Sequence, residues 1–106
     1  MKTLLFYSDE EHGYHIKWLI PESNEKEMEP ILLTLDKEGQ YKQFTPSLSE
    51  TFIYVLKGKV ALQFGETLYE AEKGESIYYE ASKPHRLQNQ ANGVSKVLIV
   101  ATESYL

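Results

Sequence analysis

Residues 50–89 read ETFIYVLKGKVALQFGETLYEAEKGESIYYEASKPHRLQN. Apolar runs alternate there with turns marked by Gly58, Gly65 and Gly74, and His85 stands near the end. Val, Ile, Tyr and Phe dominate the runs, which suits pleated, half-buried strands better than helices. Thr51, Ile53 and Val55 share one face of the first run, and Phe52, Tyr54 and Leu56 share the other. Between Lys59–Phe64 and the run from Thr67, Gly65-Glu66 offers a two-residue hairpin with glycine first.

The same grammar extends outward. Pro30–Leu35 (PILLTL) and Tyr14–Ile20 (YHIKWLI) read as strands, Leu4–Tyr7 as a short edge strand, and Gln40–Phe44 as a shorter one. Asp9–Gly13 and Asp36–Gly39 are turns. The charge run Glu22–Glu29 (ESNEKEME) is expected as a solvated loop. His85–Gln90 alternates and meets Asn92-Gly93, the strongest short hairpin signal in the chain; Val94–Ala101 is the last strand. That makes about ten short strands at the spacing of an all-β sandwich or barrel. No segment sustains a helical stripe, and no repeat or low-complexity tract interrupts the pattern. Short antiparallel strands must bury one face and manage their edges, and a double-sheet jelly roll does both.

Composition narrows the function. The 106 residues fit one domain, and a hydrophobic fraction of 42% can fill one core. Net charge is −5 and the 11 Lys and Arg are scattered, so no basic face for nucleic acid is expected. Without Cys there is no disulfide frame, thiolate nucleophile or cysteine metal site. No run approaches the roughly 18 apolar residues of a membrane span. The start, MKTLLFYSDE, lacks the pattern of a signal peptide, and a cytoplasmic location is expected.

Several stretches carry a family resemblance. Tyr54-Val-Leu-Lys-Gly58, Ala71-Glu-Lys-Gly74-Glu-Ser-Ile-Tyr-Tyr and Ala81-Ser-Lys-Pro-His85-Arg-Leu-Gln-Asn89 resemble the cupin family. The wording around Glu50–Gly58 and Lys83–Arg86 is most similar to the small-molecule-sensing cupin domains at the C-terminus of bacterial helix-turn-helix (XRE-type) regulators. The resemblance implies a double-stranded β-helix, the cupin jelly-roll barrel. Residues 1–106 are then one domain, with a core at about 28–100. N-terminal strands within 1–27 are expected to cover the sheet or a dimer interface.

Cupin metal sites take two His and a Glu from the first part of the family pattern and a third His from the second. Here the Glu position, seven residues before Gly58, falls on Thr51, and Glu50 lies on the opposite strand face. The two His positions fall within Phe44–Ser47 (FTPS). His85 is the one retained ligand position, together with the family's Asn at Asn89. A catalytic metal usually needs about three protein ligands, so no metal or other cofactor is expected. A divalent ion at His85, with Glu50 or Gln43 substituting, is the minor alternative. His12 and His15 (HGYH) read as a turn histidine and a strand histidine that do not converge.

What remains is a pocket with apolar walls and polar tips, suited to a small organic molecule. His85, Thr51, Asn89, Gln43, Ile53, Tyr79 and Tyr41 are its candidate lining, with Trp18, Phe44 and Tyr7 as further aromatic candidates. His85 either contacts a ligand or is a core histidine satisfied by Tyr79 or Asn89. No Ser/His/Asp grouping, phosphate loop or carboxylate pair stands out. The aromatic face of Phe52, Tyr54 and Leu56 needs a cover, either the N-terminal strands or a second copy, and a homodimer is expected. The reading is a sensor domain, associated with a regulator whose DNA-binding part is absent from this chain. The alternatives are a metal-dependent cupin isomerase or dioxygenase, and a cupin kept only for dimerisation.

Overall fold

A computed structural model describes residues 5–20 and 28–102. They hold nine strands: β1 (Leu5–Asp9), β2 (Tyr14–Trp18), β3 (Glu29–Leu35), β4 (Glu50–Lys57), β5 (Lys59–Phe64), β6 (Thr67–Glu72), β7 (Ser76–Glu80), β8 (His85–Asn89) and β9 (Ser95–Ala101). Six form one sheet in the order β1-β2-β3-β9-β4-β7, and three form the other in the order β6-β5-β8. Residues 22–27 of the expected charged loop, and Leu4, lie outside the described residues.

Alternation decides which face of the large sheet is buried. Inward side chains line up across the strands in rows. Trp18, Ile31, Ile99, Ile53 and Ile77 make one row; Ile16, Leu33, Val97 and Val55 make the next. Val60, Leu62 and Leu87 of the small sheet join the same core cluster. Most of these side chains are fully buried, each contributing about 1.5–3 kcal/mol against the exposed state. A further row, Glu29, Ala101, Thr51 and Tyr79, lies at one end of the sheet. There β8 begins at His85, opposite Phe64 at the end of β5. Glu29, Thr51 and His85 give this end, the mouth of the barrel, three buried polar side chains.

Two expectations are corrected. Gln40–Phe44 is not a strand: it meets β8 only through isolated bridges, Gln40 to Gln88 and Phe44 to His85. Tyr41 and Phe44 are three residues apart, and a flat strand would put them on opposite faces. Both rings instead pack together at 5.2 Å, so the segment must kink. Asn92-Gly93 does not form a hairpin either. The strands it joins belong to different sheets, β8 pairing with β5 and β9 inserting between β3 and β4. Apolar alternation at Val97 and Ile99 demands a central strand, and that outweighs the local turn preference.

Gly65-Glu66 does close the β5–β6 hairpin, with Gly65 at φ 58°. The N-terminal strands extend the large sheet sideways beyond β3 rather than lying over Phe52 and Tyr54.

Candidate functional site

His85 opens β8, and its backbone exchanges hydrogen bonds with Phe44 (2.8 and 3.1 Å). Its imidazole is buried and faces the interior. Nδ1 lies 2.9 Å from the carbonyl oxygen of Lys83, which can only accept, so Nδ1 donates. In the neutral ring Nε2 is then an acceptor. Phe44 stacks on the imidazole at 5.3 Å and 15°, and Tyr79 meets it edge-on at 5.2 Å. Phe64 stands at 6.2 Å.

Thr51 and Ile53 are buried on the inner face of β4, and Tyr41 is buried in the kinked segment beside β8. Tyr79 is half-buried next to His85. Burial pushes the ionisation of Tyr41 upward, with smaller contributions from Tyr14, Glu29 and Tyr79.

The remaining candidates are placed elsewhere. Gln43 is exposed. Asn89 sits at the far end of β8 from His85, roughly 13 Å along the strand. Its amide donates to the carbonyls of Leu35, Asp36 and Gly93 and accepts from Ala91 N and Ser95 Oγ. It is a brace, not a lining group. Glu50 points outward, where its carboxylate accepts a hydrogen bond from Tyr78 Oη, and this bond raises the Tyr78 pKa.

Glu29 was hidden in the charge run. It is buried to 4% exposure, and Trp18 Nε1 donates to its Oε1 at 3.4 Å. The signal was available: Glu29 continues the inward alternation of Ile31, Leu33 and Leu35 one step further. A second unforeseen grouping lies on the outer face. Ser8 and His15 face each other across β1 and β2. His15 Nδ1 lies 2.9 Å from Ser8 Oγ, and Nε2 lies 3.0 Å from Asp36 Oδ2. The chain ties β1 and β2 to the turn after β3. His12 bonds a different carboxylate, Asp9, so the two histidines do not converge.

A profile for the cupin domain matches residues 33–101. The chain belongs to the cupin family. An uncharacterized protein of Methanocaldococcus jannaschii is 29% identical over 77 residues, which is 73% of this chain and 59% of that protein. This cupin therefore spans less than two thirds of its curated relative. Among solved structures, an HTH_3 family transcriptional regulator from Vibrio cholerae matches with TM-score 0.75 and 21% identity, over 87% of this chain and 52% of the regulator. The Cupin_2 domain of an XRE family transcriptional regulator from Enterobacter cloacae matches with TM-score 0.76 and 13% identity, over 87% of this chain and 98% of that one. A sugar phosphate isomerase from the cupin superfamily of Silicibacter pomeroyi matches with TM-score 0.70 and 15% identity, over 87% and 60%. At these identities the structural matches establish the jelly-roll fold.

Many cupins hold a metal at the mouth, so the donor set matters. Here Thr51 stands at the carboxylate position, Glu50 is turned outward, and His85 is packed between rings. Among the described residues no three His, Cys, Asp or Glu side chains come together as a ligand set. The described residues do not fit the metal centre of the family pattern.

Proposed function

We propose that this cupin binds a small organic molecule inside the barrel and reports its presence, without transforming it. The observation that carries this reading is the make-up of the mouth. Thr51, His85 and Glu29 lie at this end, with the rings of Phe44, Phe64 and Tyr79 around His85 and Trp18 bonded to Glu29. Aromatic walls with a few convergent polar groups suit binding and orientation. The likeness to cupin domains of HTH_3 and XRE regulators supports a role beside a DNA-binding part in the cytoplasm. No helix among the described residues is long and apolar enough to cross a membrane.

The signalling unit in this reading is a homodimer. β1 and β2 leave the outer face of β4 uncovered, so a second copy is the expected cover.

Purified protein tests the binding reading directly. We expect substoichiometric metal by elemental analysis, and a rise in Tm with at least one compound of a metabolite library, as mass action requires of a ligand that favours the folded state. A stoichiometric metal that is lost in His85→Ala would sink the reading and favour the metal-dependent enzyme.

A further inference from the structure

We propose that two copies of this chain pack outer face on outer face, with β4 of one running opposite to β4 of the other, so that the Glu50–Glu80 end of each copy stands over the Lys57–Lys96 end of the second. This rests on the homodimer reading above and gives the second copy its seat and its direction.

The outward side chains of the large sheet are sorted by level along the strands. At one end Glu50 and Glu80 stand opposite each other on β4 and β7, both exposed. Tyr78 donates to Glu50, which raises the ionisation of the tyrosine, and the charge of Glu80 adds to that rise, so both carboxylates act on the outer face. At the other end, roughly 23 Å along β4, a register shift after Val55 sets Lys57 opposite Lys96 of β9, both exposed. Between the ends the surface is apolar, with Phe52, Tyr54 and Leu56 of β4 beside Val100 and Leu98 of β9. Like charges directly across a ladder are destabilising, and this sheet carries one such pair at each end, of opposite sign. Among the described residues no carboxylate pairs with Lys57 or Lys96. What each end lacks, the other end of a second copy supplies.

Symmetry turns this charge pattern into an orientation. Aligned stacking of a sheet face on its own copy leaves two choices of two-fold axis. An axis along the strands sets each level over itself, carboxylate on carboxylate and ammonium on ammonium, which opposes association. An axis across the strands exchanges the ends. The apolar rows of Phe52 and Tyr54 still meet, with Tyr54 nearest the axis, and each acidic pair lies over a basic pair. The same step carries Leu56, 42% exposed, over the cleft that Met28, Phe52, Tyr78 and Val100 form. Charge and shape choose the same axis.

Charge reversal at these exposed positions tests the arrangement, with the full chain followed by sedimentation over a range of concentrations. Lys57→Glu with Lys96→Glu should weaken the dimer by about tenfold or more, and Glu50→Lys with Glu80→Lys should do likewise, while near-UV circular dichroism stays unchanged. The variant with all four reversals should dimerise again, because its ends still exchange opposite charges. The chain contains no Cys, so introduced cysteines report the axis directly. With a short bismaleimide, a chain carrying both Glu50→Cys and Lys57→Cys should link to its second copy, and neither single variant should. Self-linking of Glu50→Cys alone overturns the crossed arrangement and leaves the homodimer standing. A dimer that ignores every charge change, or one that the four reversals do not restore, does the same. A wild-type chain that sediments as a monomer at every concentration takes the homodimer reading down with it.

Discussion

Asn89 and Tyr41 show how single buried or half-buried side chains hold the barrel together by different means, one by hydrogen bonds and one by packing. The amide of Asn89 ties the β3 turn, through Leu35 and Asp36, to the connection at Gly93 and to Ser95 of β9. Asn89→Ala would strand half-buried carbonyls, and we expect a loss of about 2 kcal/mol in urea unfolding with ligand affinity unchanged. A large loss of affinity at unchanged stability would return Asn89 to the pocket. Tyr41, packed between the rings of Tyr14 and Phe44, is neutral in the folded state because burial raises its pKa from the ordinary tyrosine value of 10.0. Its folded pKa lies above its unfolded one, so its contribution is complete below pH 10 and is lost as pH rises past that value. Wild type should lose stability steeply above pH 10, and Tyr41→Phe should flatten that limb; identical alkaline limbs for the two proteins would contradict the placement of the hydroxyl. The site was only partly legible for a related reason. Thr51, Ile53 and His85 follow from strand alternation and family spacing. Asn89 looks the same in sequence whether its amide meets a ligand or a carbonyl. Glu29 was masked by the acidic neighbours that precede it, although its phase with Ile31 was there to be read.

At the scale of elements, β4 and its exit carry most of the fold's logic. The inward set Thr51, Ile53 and Val55 is buried and the outward set Phe52, Tyr54 and Leu56 is not, as alternation demands. β4 then leaves the large sheet through a register shift after Val55 and crosses into the small sheet at Gly58. Gly58 has φ 82°. A Cβ there would lie 2.9 Å from Ser95 Cβ, and nearer still to the Ser95 hydroxyl. That hydroxyl accepts from Lys59 N at 3.1 Å and braces the crossing. Gly58→Ala combines a left-handed backbone penalty with overpacking, and we expect a loss of about 2–4 kcal/mol in chemical denaturation. Gly74→Ala, whose added Cβ meets nothing within 4 Å, should cost only the backbone part, about 1–2 kcal/mol. Equal losses at the two positions would rule out the Ser95 contact as the cause. Strand existence was legible because each run's period and bounding glycine agreed. Pairing was less so, because Asn92-Gly93 states a local preference, and which strands lie beside β9 is decided by distant residues such as Ile31 and Ile53.

The whole molecule presents one feature that a single chain leaves unresolved. The outward side chains of β7, β4, β9 and β3 fall in register as Tyr78, Phe52, Val100 and Pro30, with Tyr54, Leu98 and Leu32 in the next row. Tyr78 is 60% exposed, Met28 57% and Phe52 38%. A shallow cleft of about 200 Å³ opens there, lined by Met28, Glu50, Phe52, Tyr78, Val100 and Thr102. Contiguous apolar surface of this kind usually marks an interaction site. A flat sheet face that is apolar along its centre and has the Tyr78–Glu50 pair at one side suits an isologous contact, in which the same rows meet across a two-fold axis. The dimer we propose therefore buries the outer face and leaves the mouth, on the inner side of the same sheet, open to ligand. Because Thr51 and Phe52 are neighbours on β4 with opposite directions, a shift of β4 on ligand binding would be felt at the interface. Sedimentation at micromolar concentration should give twice the 12.3 kDa of one chain. Phe52→Glu, which alters only an outward position, should sediment at the monomer mass and still bind the same compound. A wild-type monomer would exclude this face as a self-contact, and a Phe52→Glu variant that stays dimeric would move the interface elsewhere, to the exposed β1 edge at Leu5, Phe6 and Tyr7.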